Sequence, residues 1–309
     1  MTNTIFNSQK VINEEINNSE LRTYFVDFEL KDQGDYEYRW DALINLLQSA
    51  LVEFAYWLHE WENTDNSQII DKLVDSARSI YRIKEFDDVR KLYESGWDIW
   101  DTDSTKKFLK RWEFGELILH LLLRDFHNTI PLLSKIYFKD SYGHTVHWFD
   151  WVHIEPDSKT LWLGESKLYI DWKAWVKELV KDIKEHFKRD YLRDEFNIIT
   201  KKIKKDDIPE KEYWIDLMDQ KTKLQDVLTS ITIPLICTYS SNNFDSFSEE
   251  LKDNILLEVE EMKKYFDDNN DHPLRTELNI VLLLFPVKCK KELVKRMHKK
   301  LFTLQWLND

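Results

Sequence analysis

Residues 144–170 read HTVHWFDWVHIEPDSKTLWLGESKLYI. β-branched and aromatic residues dominate 144–154 and 161–170, and Glu-Pro-Asp-Ser-Lys at 155–159 is a turn between them. The stretch is therefore a hairpin of two apolar strands. Its second strand carries Glu165 and Lys167 among Leu161, Trp162, Leu163 and Leu168. Charges on a core strand are expensive unless they are paired or bound. Positions i and i+2 of a strand share a face, so Glu165 and Lys167 emerge side by side. Asp150 sits on the neighbouring strand, where a suitable register would let it share one cation with Glu165.

The elements on either side extend this hairpin into an α/β domain. Residues 108–126 read as a buried helix, apolar nearly all round, with Glu116 as an isolated carboxylate that would pack on the sheet. Glu116 could also sit in its helix's first turn simply because the dipole favours an acid there. Residues 133–138 are a strand. An amphipathic helix follows the hairpin at 172–187. A charged connector with Pro209 leads to a helix near 213–228, then a strand (231–239), a helix (246–266), a strand (278–287) and a basic helix (290–301). This order predicts one domain with a mixed sheet over residues 111–309. Residues 1–110 read as a mainly helical region, with a polar arm to Asn18, a short strand over 24–30 and helices over 39–62 and 68–81.

Charge separates the two parts. Residues 1–110 hold 13 Lys and Arg against 22 Asp and Glu, in a chain of net charge −13. The acidic N-terminal region is a candidate for docking a partner, and the overall charge argues against strong autonomous DNA binding. With 5 Gly and 6 Pro in 309 residues, Gly-rich phosphate loops, collagen-like segments and most β-sandwiches are excluded. Cys237 and Cys289 lack CxxC spacing, which argues against a zinc ribbon or a disulfide scaffold. No apolar run is long enough for a membrane span and the start lacks a signal-peptide core, so a reducing cytoplasm is expected.

Two carboxylates and a lysine on adjacent strands suit metal-assisted phosphodiester hydrolysis. Mg²⁺ takes hard oxygen ligands, commonly one or two carboxylates completed by water and phosphate. A lysine beside it can orient the attacking water and stabilise developing negative charge. His120, His127, His144, His147 and His153 do not converge at zinc-ligand spacing and read as core or supporting residues. Lys288, Lys290, Lys291, Lys295, Arg296 and Lys299 form a basic stretch. Each is ordinarily a solvated side chain, but together they are candidate contacts to a phosphate backbone.

Glu116 on a helix, Asp150 on a strand and Glu165-Ser-Lys167 on the next strand resemble the PD-(D/E)xK nuclease signature. More narrowly, Gly115-Glu-Leu117, Asp150-Trp-Val-His153, Trp162-Leu-Gly-Glu-Ser-Lys-Leu-Tyr169 and Ile233-Pro-Leu-Ile-Cys-Thr-Tyr-Ser240 resemble the HamA family, the nuclease subunits of Hachiman anti-phage defence. The resemblance implies a restriction-endonuclease-like core and a bacterial, cytoplasmic, metal-dependent DNase using Mg²⁺, with Mn²⁺ as an alternative. It further implies Asp150 and Glu165 as metal ligands, Glu116 as support for the metal or water, and Lys167 as the group that positions and polarises the nucleophile. The implied partner is a helicase subunit, HamB, and the implied substrate is DNA. A catalytically inactive module that binds DNA or regulates the helicase is the alternative.

Overall fold

The computed structural model describes residues 5–62, 65–80, 113–134, 149–169, 172–186, 189–203, 208–272 and 275–305, with isolated positions at 91, 94–96 and 307. Among them, strands β1 (Ile12–Asn17), β2 (Leu21–Val26), β5 (Ile130–Ser134), β6 (Trp151–Glu155), β7 (Thr160–Tyr169), β8 (Ile231–Ser240) and β9 (Asn279–Val287) form one seven-stranded sheet in the order β1-β2-β9-β8-β7-β6-β5. Strands β7, β8, β9 and β2 run parallel, while β1 on one side and β6 and β5 on the other pair antiparallel. A second small sheet pairs β3 (Phe28–Leu30) with β4 (Tyr36–Tyr38).

The centre of the sheet follows from composition. Strand β8, ITIPLICTYS, is buried along its whole length except its last residue, as expected of a parallel strand covered on both faces. Helices then cover the sheet: α1 (Trp40–Glu62), α2 (Ile69–Ile80), α3 (Glu113–Phe126), α4 (Trp172–His186), α5 (Arg189–Ile203), α6 (Lys211–Leu217), α7 (Leu224–Leu228), α8 (Leu251–Asn269) and α9 (Lys290–Gln305). The mixed α/β architecture expected from the sequence is present.

Several local expectations change. The expected polar arm contains an edge strand, β1, whose charged residues suit an edge that must resist further pairing. The start of the chain is also fastened: Ser8 donates to Asp125 Oδ2 through its backbone N (2.9 Å) and through its Oγ (2.6 Å). The N-terminal region is thus not only helical. Its described residues hold four strands, and β1 and β2 join the main sheet through β9, so that sheet draws on both sides of residue 110. The charged connector contains α5, which buries Leu192, Phe196, Ile199 and Ile203 at helical spacing. The single helix expected near 213–228 is two, α6 and α7. The outer ends of the expected strands at 133–138 and 144–154, and the start of the helix at 108, lie outside the described residues.

Gly164 sets how closely α3 approaches the sheet. A Cβ at this position would lie 2.8 Å from Leu119 Cδ2 of α3. Its absence lets the helix rest directly on β7, with Gly115 of α3 against Ser166.

Candidate active site

The hairpin expected from the sequence is β6–β7, with Trp151 opposite Gly164. Asp150 N donates to the carbonyl of Gly164 (2.9 Å), the residue already opposite Trp151, so Asp150 departs from the regular ladder at the start of β6. Residues two apart on a strand share a face. Glu165 and Lys167 therefore share one side of the sheet, where Lys167 meets Asp182 of α4. Ser166 belongs to the other side, beneath α3.

Asp150 is almost fully buried, and its orientation is fixed from the next strand. The backbone N and the Oγ of Ser166 both donate to Asp150 Oδ2, at 2.7 and 3.0 Å. The two donors fix the orientation of the carboxylate in a site closed to water. Ser166 is a positioning residue that reading the sequence did not assign.

Lys167 Nζ lies 3.0 Å from Glu165 Oε1 and 3.0 Å from Asp182 Oδ2, the latter on α4. Burial pulls the Lys167 ammonium down, but the two carboxylates outweigh it and hold the group above the ordinary lysine value of 10.5. Lys167 is a fixed cation and not a neutral base. Beside it, Tyr169 OH donates to Glu178, also on α4. Burial first, then this carboxylate, raise the phenol above its usual range. Asp182 was invisible to pattern reading, because only packing of α4 on the sheet brings it to β7.

Glu116 lies in the first turn of α3 and is fully buried, next to the Gly115 that abuts Ser166. Among the described residues, no group of three or more His, Cys, Asp and Glu side chains is gathered closely enough to hold a metal ion. The donor chemistry still fits a hard cation. Asp150, at the start of β6, and Glu165, on the neighbouring strand β7, offer carboxylate oxygens, and Mg²⁺ commonly takes only one or two carboxylates from the protein.

The model of the HamA family matches residues 2–301. The chain belongs to the HamA family. That family implies a component of Hachiman anti-phage defence. No curated protein matches this HamA-family chain.

The basic residues of this HamA-family chain divide by environment. Lys290 is buried, and its Nζ donates to the Leu168 carbonyl at 2.6 Å, beside Lys167. Burial lowers it to about 8. Arg296 bonds Glu292 (2.6 Å) and Asp41 (3.2 Å) and lies over Trp40, while Lys300 donates to Asn45 (2.9 Å). These contacts fasten α9 to α1. Lys288 and Lys295 are half-buried, and Lys291 and Lys299 are exposed. None of the described helices is long and apolar enough to cross a membrane.

His120, His127 and His153 are core groups. His120 stacks on Trp151 (4.6 Å between ring centroids), His153 Nδ1 bonds Thr129 Oγ1 (2.7 Å), and His127 bonds Tyr24 OH (3.0 Å). Beside His120, Arg124 bonds Glu53 and joins α3 to α1. His144 and His147 lie outside the described residues.

Proposed function

We propose that this chain is a metal-dependent deoxyribonuclease with a PD-(D/E)xK core, working in the bacterial cytoplasm as the effector of a two-subunit complex with the helicase HamB. The observation that carries this reading is the buried Asp150 carboxylate bonded to Ser166, the residue between Glu165 and the Lys167 cation on β7. Asp150 and Glu165 would hold Mg²⁺ or Mn²⁺, and Glu116 would support the metal or a water. A divalent cation there supplies charge stabilisation at the scissile phosphate and lowers the pKa of bound water.

The chain's own groups have separate tasks. Ser166 keeps Asp150 oriented. Lys167 stays protonated at neutral pH, so it orients the nucleophile and neutralises charge developing on the phosphate oxygens. Asp182 keeps Lys167 in place when Glu165 turns to another cation. Lys291, Lys295 and Lys299 are the members of the basic stretch proposed to meet the DNA backbone. The partner supplies the rest of the affinity that a chain of net charge −13 lacks.

The test is cleavage of plasmid and linear DNA with Mg²⁺, by the chain alone and with the helicase, beside Lys167→Ala. Metal-dependent cutting that disappears in the variant supports the nuclease. Equal cutting by both forms removes Lys167 from the chemistry. The second reading, an inactive nuclease-like module, draws support from the absence of a three-ligand cluster among the described residues. Calorimetric titration with Mg²⁺ and Mn²⁺ separates the two, because the inactive module takes up neither ion.

A further inference from the structure

The β3–β4 hairpin stands apart from the main sheet and has one apolar face. At its inner end, Phe28 and Tyr38 pack on Phe244, which follows β8. At its outer end, Leu30 pairs with Tyr36, and Tyr36 stacks on Phe247 with 3.7 Å between ring centroids. Leu30 is 61 % exposed, Tyr36 46 % and Phe247 37 %. Three large apolar side chains thus meet at one exposed spot on a two-stranded ribbon, which is marginal alone.

The surroundings are acidic. Asp32 and Asp35 lie in the hairpin turn and Glu37 beside it, while Asp245, Glu249 and Glu250 flank Phe247, all exposed. Lys31 is held by Glu29 and Glu37, and Lys288 lies over the Phe28 ring with its Nζ toward the Asp245 carbonyl. An acidic rim repels nucleic acid and anionic lipid. It also opposes a second copy of this chain, since a two-fold contact would set acid against acid.

We propose that Leu30, Tyr36 and Phe247 form the docking surface for a partner protein that presents an apolar side chain ringed by lysines and arginines. This rests on the reading that the chain works in a two-subunit complex, and it gives that complex a contact. The surface is next to the ends of β8 and β9, and the parallel strand β7 carries Lys167 toward the same end of the sheet. Lys288 under Phe28 and Lys290 on the Leu168 carbonyl lie two residues apart, so one short segment touches both places. A partner seated on the hairpin stands at the end of the sheet that holds the candidate site.

The experiment is titration of the full-length chain with the helicase subunit, by calorimetry at two salt concentrations. The variants are Tyr36→Ala with Leu30→Ser, and Asp35→Lys with Glu249→Lys. The second pair alters only exposed side chains, so the fold is retained. Both are expected to weaken binding at least tenfold, as loss of an aromatic anchor or of rim complementarity does. The charge-reversed variant is also expected to reduce the salt dependence. Unchanged affinity in both variants overturns the docking surface and leaves the two-subunit reading intact. No binding by the unaltered chain overturns both, and concentration-dependent dimerisation abolished by Tyr36→Ala assigns the surface to a second copy instead.

Discussion

Asp182 of α4 places a carboxylate oxygen 3.0 Å from the ammonium of Lys167 on β7. A residue of the covering helix thereby holds the cation of the strand motif. Lys167→Ala is expected to cut DNA cleavage by about 10²–10³-fold, the scale of losing one charge-stabilising donor. Asp182→Asn leaves Glu165 as a partner and is expected to cost roughly tenfold, the scale of a supporting residue. Single-turnover cleavage rates check both. Equal losses in the two variants would show that Asp182 does more than hold Lys167.

Ser166→Ala removes the Oγ donor to Asp150 and keeps the backbone donor. The expected result is a folded protein destabilised by about 1.5–3 kcal/mol, the range for a hydrogen bond to a charged group. Cleavage should fall with it. Urea unfolding gives the stability, and an unchanged midpoint would show that the backbone bond alone fixes Asp150.

Gly164→Ala drives a methyl group into Leu119. Because Leu119 is fully buried, it has little room to turn aside, and the expected cost is about 1–3 kcal/mol. Thermal unfolding checks this. The paired variant Gly164→Ala with Leu119→Ala should recover part of the strain while losing the packing of the leucine.

Burial lowers His120, His153 and His127, with the Arg124 charge adding to the effect on the first two and Arg22 to that on the third. His127 falls to about 3. These groups stay neutral in the folded chain while the unfolded chain protonates them below 6.5. Their contribution to stability is therefore intact above about pH 6.5 and is lost as pH falls toward the folded values. At pH 5 His127 alone costs about 2 kcal/mol. Melting temperatures between pH 7.5 and 5 should drop, and His127→Gln should flatten the fall.

Much of the fold was legible where the apolar period was strong. Strands β7, β8 and β9 and helices α1, α2 and α4 stand close to where spacing puts them. What escaped was charged. Strand β1 is an edge and alternates poorly, and α5 hides Leu192, Phe196, Ile199 and Ile203 among lysines and aspartates. The hairpin placed Asp150, Glu165 and Lys167 on neighbouring strands from sequence alone, since strand period and turn chemistry are local. Asp182 and the burial of Lys290 depend on how helices settle on the sheet, which no local pattern encodes. The α5 spacing was readable, and only the density of charge concealed it.

Strand β2 lies against β9, with residues 21–23 beside 282–284. The first strands made must therefore wait for the last. At a synthesis rate of about 5–20 residues per second, that delay is on the order of ten to fifty seconds. Until residues 279–287 have left the ribosome, the sheet has neither its link to β1 and β2 nor a neighbour for β8 on that side. A nascent chain interrupted before that point cannot close the layer on which the candidate site is built, so unfinished copies are without the completed scaffold.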